Sequence, residues 1–207
     1  MPTSVAGRVD TASMHAWAVT VNVGGGPGGS AARTAGMTGW VEQAVDERQP
    51  AVVFAQEVPS DAWLAVFTDR GYTVTLGCEP VWRIRSAVIT APGLKVQALT
   101  TKDLPNLGYH GSYVAGARWL NAPLGTWGQE YYDRAVSCSL TDWLTQSWGT
   151  ELPTRGGLQL DQVLTSPPAL GLLLSDPAPH LDPAWANGNP GGRSDHAPVW
   201  FALRGAP

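Results

Sequence analysis

The chain is poor in charge and in cysteine, and each shortage disfavours a class of protein. Charged residues make up 14% of its 207 residues, and the net charge is −4, whereas an ordinary soluble domain has roughly 25% charged residues. A negative net charge provides no basic field for a phosphate backbone, so a tight, sequence-independent DNA binder is disfavoured. The two cysteines, Cys78 and Cys138, have no metal-ligand spacing. Burial is their favoured role, and a disulfide between them stays open.

The chain also lacks any long apolar run. No segment approaches the roughly 18 residues that a membrane helix needs, and residues 1–14 contain no apolar signal-peptide core. We therefore expect a soluble, cytoplasmic protein without a membrane partner. A length of 207 residues favours one domain over 1–207, with 1–15 as a loose lead-in. The 24 glycines and 17 prolines predict connections rich in loops.

Polar residues recur at or near the ends of apolar strands along the chain. A polar side chain at a strand end often only caps a turn, and for each segment alone that is the simpler interpretation. The segments are 16–23 with Asn22 before a glycine run, 51–58 with Gln56-Glu57, 158–166 with Asp161, and Ser194-Asp195-His196 before the apolar run 199–203.

In this order the four segments resemble the endonuclease/exonuclease/phosphatase superfamily of metal-dependent phosphoesterases. That family has a strand ending in Asn, a strand ending in Gln-Glu, an Ile-Asp-Tyr-like strand and a Ser-Asp-His motif near its C-terminus. The resemblance extends from about Trp17 to Leu203. It implies an α/β fold in which two mixed β-sheets pack face to face with helices outside, a four-layer sandwich.

The resemblance also implies a role for each matched residue. Asn22, Glu57 and Asp195 would hold Mg²⁺ or Mn²⁺, which prefers oxygen ligands. His196 would act next to the phosphate, and Asp161 would hold its imidazole in orientation. The substrate would be a phosphate ester, with nucleic acid among the candidates, and the oligomeric state stays open.

Two of the family's motifs are missing, and this opens an alternative. The chain has no Gly-Asp-x-Asn and no central His-bearing strand, and its centre looks shortened after residues 122–125. Asp142 is the nearest imitation, but Leu144 stands where the Asn should be and the segment 138–147 predicts a helix. The alternative to a phosphoesterase is a non-catalytic member of the fold that acts as a binding or scaffold protein.

Periodicity predicts the elements that carry these motifs. Five apolar residues at 3–4 spacing predict a helix over 36–48, and a second helix is expected over 62–69. The segment 111–119 alternates like one strand, and 175–193 reads as a long loop before the Asp-His pair. The ten tryptophans leave a Trp-rich binding module as a third possibility. However, Trp17, Trp40, Trp143 and Trp200 stand at core-periodic positions, so packing explains most of them.

Overall fold

A computed structural model describes residues 15–25, 30–76, 85–94, 113–114, 117–118, 141–148, 153–156, 161, 163–165, 171–187 and 191–204. The strands within these ranges are β1 His15–Asn22, β2 Val52–Val58, β3 Thr73–Leu76, β4 Arg85–Thr90, β5 Tyr113–Val114, β6 Ala117–Arg118, β7 Thr141–Asp142, β8 Leu164–Thr165, β9 Leu173–Leu174, β10 His180–Leu181 and β11 Val199–Arg204. The helices are α1 Ala31–Arg48, α2 Asp61–Thr68, α3 Trp143–Trp148 and a 3-10 turn at Pro183–Trp185.

The larger sheet brings distant parts of the sequence together at the end where β1 and β2 terminate. Its strand order is β10-β11-β1-β2-β4-β3, and β9 also pairs with β11. Strand β1 is parallel to β2, with Asn22 opposite Gln56, and antiparallel to β11, with Thr20 opposite Val199. The carboxyl ends of β1 and β2 therefore lie beside the residues that lead into β11.

Both faces of this sheet are covered, which explains why β1 is buried almost throughout. Helices α1 and α2 contribute to the core on one face, while Trp143, Leu144 and Val163 pack against Phe201 and its neighbours on the other. Trp143 follows β7 and Val163 precedes β8, two strands of a smaller sheet with the order β5-β6-β8-β7. The predicted α/β fold with two sheets and flanking helices is confirmed.

Helix α1 buries the apolar face that its sequence predicts, although it begins five residues earlier than expected. Ser30 caps its N-terminus by accepting a hydrogen bond from the Arg33 backbone N–H at 3.1 Å. The five extra residues, 31–35, contribute none of the buried residues, so the apolar pattern does not reveal them. The buried residues of α1 are Met37, Trp40, Val41, Ala44 and Val45.

Three predictions of local structure are corrected. Within the segment 111–119, β5 and β6 are two strands that pair antiparallel, so the described residues do not form one strand. Of the described residues in the segment predicted as a helix, Thr141–Asp142 is a strand and the helix begins at Trp143, so Asp142 ends a strand. The segment 175–193 contains β10 and the 3-10 turn. Among the described residues, no helix has the length and apolar character needed to cross a membrane.

The central region to which the sequence assigns a shortening falls largely outside the described residues, as do Cys78 and Cys138. The single domain over 1–207 and its loose lead-in also stay predictions.

Candidate active site

Two polar pairs lie at the end of the larger sheet where β1 and β2 terminate. Asn22 and Glu57 form the first pair. The Asn22 Nδ2 donates to Glu57 Oε1 at 3.2 Å, and Asn22 Oδ1 accepts the Gly24 backbone N–H at 2.8 Å. Asn22 is buried, whereas Glu57 is partly exposed. The Asn22 amide is therefore fixed by its two hydrogen bonds. The Glu57 carboxylate is partly exposed to solvent, and one of its oxygens is hydrogen-bonded to Asn22.

Glu57 reaches this position through an irregularity in β2. The pairing of β2 with β4 shifts between Ala55 and Val58, and Glu57 has a φ of 51°. A β-bulge re-aims a side chain, and a non-glycine residue at positive φ is strained. The Glu57 carbonyl accepts the Gly25 N–H at 2.9 Å. A Cβ on Gly25 would lie 2.4 Å from that carbonyl oxygen, so only glycine fits there.

Asp161 and His196 form the second pair, and both are buried. His196 Nδ1 lies 2.9 Å from Asp161 Oδ2, and the exposed fractions of the two residues are 3% and 2%. With Asp161 accepting, Nδ1 carries the proton and Nε2 is the ring nitrogen left for other partners. Burial lowers the pKa of His196, but the hydrogen bond and the charge of Asp161 outweigh it and leave the pKa raised. This geometry suits an imidazolium that is oriented by a carboxylate.

The backbone holds the second pair in place through the segment 153–156. The Thr154 hydroxyl accepts the Asp161 N–H at 3.0 Å, and the Thr154 carbonyl accepts the Ala197 N–H at 2.7 Å. One residue thus contacts both sides of the Asp161–His196 pair. Asp161 Oδ1 is buried and has no hydrogen-bond partner among the described residues.

Asp195 is engaged by two arginines. Arg155 Nη2 lies 2.6 Å from Asp195 Oδ2, and Arg33 Nη1 lies 3.8 Å from Asp195 Oδ1. These guanidinium groups neutralise the carboxylate that the resemblance assigns to a metal. The role of Asp195 as a metal ligand stays a prediction.

Arg33 also connects Asp195 with the first pair. A Cβ on Gly24 would lie 2.7 Å from Arg33 Cδ and 3.4 Å from Ser194 Oγ, so both side chains pack over this glycine. Gly24 itself is hydrogen-bonded to Asn22. The structure thus places Asn22 and Glu57 in one pair and Asp161 and His196 in another, and it places Asp195 next to Arg33, whose side chain packs over Gly24.

A tryptophan–aspartate network supports the turn that carries His196. The indole N–H groups of Trp40 and Trp200 both donate to Asp182 Oδ2, at 3.1 and 2.8 Å. The 3-10 turn that follows Asp182 ends at Trp185, and the Trp185 indole donates to the Ser194 carbonyl at 2.9 Å. All three of these hydrogen bonds are buried, so the network fixes the chain just before Asp195.

Sequence reasoning missed three residues of this arrangement. Arg155 carries no local signal, because its partner Asp195 is distant in sequence. Asp182 caps the 3-10 turn that begins at Pro183, but this local signal does not reveal its two tryptophan partners. Arg33 had a weak local signal, since it follows a glycine run and lies in the first turn of a helix.

The described donors fit a magnesium ion held mainly by water. Glu57 supplies a carboxylate with one oxygen free of hydrogen bonds to described residues, and Asn22 lies beside it. Magnesium commonly takes only one or two carboxylates and keeps several waters. In the described part of the chain, no group of three His, Cys, Asp or Glu side chains could enclose a metal ion. A cage made only of protein ligands is therefore not present among these residues.

Comparison with known proteins agrees with the sequence resemblance at the level of the fold. No protein-family model and no curated protein matches the chain. Solved structures do match. A 3′-5′ exonuclease from Neisseria meningitidis has 14% identity and a TM-score of 0.59, and the alignment covers 91% of this chain and 100% of that one. An AP endonuclease from Archaeoglobus fulgidus has 13% identity and a TM-score of 0.59, with coverages of 91% and 99%.

An AP endonuclease from Leishmania major gives a similar result. It has 12% identity and a TM-score of 0.62, and the alignment covers 93% of this chain and 88% of that one. Identities this low establish the fold alone. The chain therefore has the fold of the endonuclease/exonuclease/phosphatase superfamily.

Proposed function

We propose that this chain, which shares its fold with nucleases and phosphatases, is a divalent-cation-dependent phosphoesterase. The observation that carries the proposal is the buried Asp161–His196 hydrogen bond of 2.9 Å at the edge where β1 and β2 end. A buried carboxylate that orients an imidazole has little structural purpose, since apolar side chains would fill the space at lower cost. Perturbed, paired ionisable groups of this kind are typical of functional sites.

His196 is the group that meets the phosphate in this proposal. Asp161 fixes the proton on Nδ1, so that Nε2 presents either a proton or a lone pair to a phosphate oxygen. The raised pKa of His196, which the hydrogen bond and charge of Asp161 cause against the effect of burial, favours the charged imidazolium relative to a free histidine. That charge offsets the negative charge that develops on the phosphoryl oxygens and leaving group.

Asn22 and Glu57 are the residues that would hold the cation. Their hydrogen bond keeps the carboxylate beside the amide, and the bulge in β2 turns the Glu57 side chain to this edge. The chemistry that Mg²⁺ or Mn²⁺ supplies when bound is neutralisation of phosphate charge and activation of water. Asp195 stays the proposed third ligand, in competition with Arg33 and Arg155.

Nucleic acid is one candidate substrate, because the structural neighbours include an exonuclease and AP endonucleases by name. The net charge of −4 argues against a long duplex held by backbone contacts. A small phosphate ester or a short single-stranded end agrees better with this charge.

The non-catalytic alternative also has an observation in its favour. Asp195 is neutralised by two guanidinium groups, and the family's Gly-Asp-x-Asn motif is missing from the sequence. A general base is typically worth about 10²–10⁴-fold in rate. We therefore expect weak activity if Asp142 does not replace the missing aspartate.

Hydrolysis of bis-(p-nitrophenyl) phosphate, with Mg²⁺ or Mn²⁺ and with EDTA, tests the proposal. We expect weak hydrolysis that EDTA abolishes and that the His196→Ala variant lacks. His180→Ala is the control, because His180 lies on β10 and its imidazole Nδ1 is within hydrogen-bond distance of the Ala178 carbonyl of its own loop. Hydrolysis that resists EDTA and survives His196→Ala would show that the site is wrong. A folded protein that cleaves no ester would favour the non-catalytic alternative.

A further inference from the structure

Two arginines from distant segments converge on the exposed side of the site. Arg33 lies in the first turn of α1, and Arg155 lies in the segment 153–156. Both approach Asp195, at 3.8 and 2.6 Å. Within this cluster of three residues, two guanidinium charges against one carboxylate leave an excess of one positive charge, in a protein whose net charge is −4.

This ion-pair cluster contributes little to folding. The side chains of Arg33, Arg155 and Asp195 are 30%, 48% and 32% exposed. Ion pairs in such positions typically contribute only about 0–1 kcal/mol, because water screens them. Stability therefore does not account for the convergence of two arginines beside His196.

Most hydrogen-bond donors of the two arginines are unused among the described residues. A guanidinium has five N–H donors. Arg155 directs one nitrogen to Asp195, and the Arg33 contact of 3.8 Å is too long for a hydrogen bond. The remaining donors suit an anion with several oxygens, which a phosphate group supplies.

The surroundings favour an anion at the same place. The first turn of α1 contains no acidic residue, so the positive end of the helix is not offset there. The Arg33 stem packs over Gly24, next to Asn22. Thr154 hydrogen-bonds to Ala197, which places Arg155 beside the residue that follows His196.

We propose that Arg33 and Arg155 form an anion-binding subsite that takes a second phosphate group of the substrate, next to the ester that His196 faces. The inference rests on the proposed function for the ester, but the subsite is built from residues with no part in that chemistry. Preferred substrates then carry two phosphate groups, as a nucleoside 3′,5′-bisphosphate ester or a phosphorylated oligonucleotide end does. Asp195 holds the arginines in place while the subsite is empty.

Binding of inorganic phosphate in EDTA tests the subsite without any turnover. We expect the double variant Arg33→Gln/Arg155→Gln to bind phosphate at least tenfold more weakly than the wild type, measured by calorimetry or by NMR titration. Arg48→Gln is the control for a general loss of positive charge, since it removes one such charge from the other end of α1, about 22 Å away at 1.5 Å per residue. We expect its phosphate affinity to stay within twofold of the wild type. Equal affinity in the wild type and the double variant, or an equal loss in Arg48→Gln, would overturn the proposal.

Kinetics test the assignment of the second phosphate. The substrates are the p-nitrophenyl ester of thymidine 5′-phosphate with and without a 3′-phosphate. We expect the 3′-phosphate to lower KM at least tenfold in the wild type and to have no effect in the double variant. An identical KM for the two esters would overturn the inference. Phosphate binding that depends on the arginines, in a protein that cleaves neither ester, would support the subsite and reject the phosphoesterase proposal.

Discussion

Several single residues of the candidate site have an unfavourable backbone conformation or an unfavourable environment. Glu57 has a positive φ that glycine would adopt without strain, and Asp161 and His196 are ionisable groups removed from water. Each feature costs stability by itself, and backbone strain of this kind costs about 1–3 kcal/mol. These losses of stability are concentrated at one end of one sheet, which indicates that the residues serve a purpose other than folding.

The protonation of His196 depends on Asp161. In Asp161→Asn the burial of His196 remains but the carboxylate is lost, so we expect the pKa of His196 to fall below its wild-type value. An NMR titration of the imidazole resonances measures this directly. Because the folded-state pKa is raised, the wild type gains stability that is fully present below the unfolded pKa, near 6.5, and is lost as pH rises through the folded pKa. An unchanged pKa and an unchanged pH dependence of Tm would contradict this account.

The matched residues could be read from the sequence, but most of their partners could not. Asn22, Glu57 and His196 follow or precede apolar strands, and that pattern is local. The ion pair of Asp195 with Arg155 and the hydrogen bond of Asp182 with Trp40 join residues far apart in sequence, so no local pattern predicts them. The positive φ of Glu57 was also not predictable, because its sequence continues an ordinary apolar strand.

At the scale of elements, helix α1 packs against the turn that precedes Asp195 and His196. A Cβ on Gly36 would lie 2.0 Å from the Gly192 carbonyl oxygen, so helix and turn meet backbone to backbone. Gly192 has a φ of 80°, a conformation that favours glycine. This contact sets the position of the turn two residues before Ser194.

A pair of glycine substitutions on α1 tests this contact. Gly36→Ala gains up to about 1 kcal/mol of helix propensity, but the clash with Gly192 is expected to cost about 1–3 kcal/mol and to displace the turn. Gly39→Ala has nothing within 4 Å of its new methyl group and is expected to gain stability. Thermal unfolding should then show a lower Tm for Gly36→Ala and a higher Tm for Gly39→Ala.

Hydrolysis measured on the same two proteins separates packing from the site. We expect Gly36→Ala to lose activity even where it is fully folded, and Gly39→Ala to keep it. Equal stability and equal activity of the two variants would show that α1 does not position the turn.

Helices and strands can be predicted from the sequence where a single buried face determines the spacing of the apolar residues. The apolar face of α1 was predicted residue by residue, because a helix against a sheet buries one face only. The sequence predicts a single strand where β5 and β6 pair with each other, since the alternating pattern runs through both strands without a break. It predicts a helix at Thr141–Asp142, which is a strand, because Trp143 and Leu144 dominate the local pattern.

At the scale of the whole molecule, the candidate metal site exists only in the folded chain. Asn22 and Glu57 lie 35 residues apart and meet because β1 and β2 are parallel neighbours. A ligand that binds only the folded state stabilises it by mass action, by about 2.7 kcal/mol at a concentration 100 times its Kd. Cation binding should therefore appear as a change in Tm.

We expect millimolar Mg²⁺ or Mn²⁺ to raise the Tm of the wild type, and the Glu57→Gln variant to stay folded and lose this response. A change of 1 kcal/mol corresponds to about 2–4 °C for a domain of this size. Glu42→Gln is the control, because Glu42 lies on the exposed side of α1 and carries the same charge. A wild-type protein that does not respond to the cation would favour the non-catalytic alternative.

The central position of β1 has a consequence for incomplete chains. One edge of β1 is paired within the first 60 residues, by β2, but its other edge is paired only by β11, from Val199 onward. A chain interrupted or still being synthesised before that point exposes an apolar strand edge of several residues, which is a template for pairing with other chains. Fragments that lack β11 should therefore aggregate, and growing chains should need shielding until β11 has been synthesised.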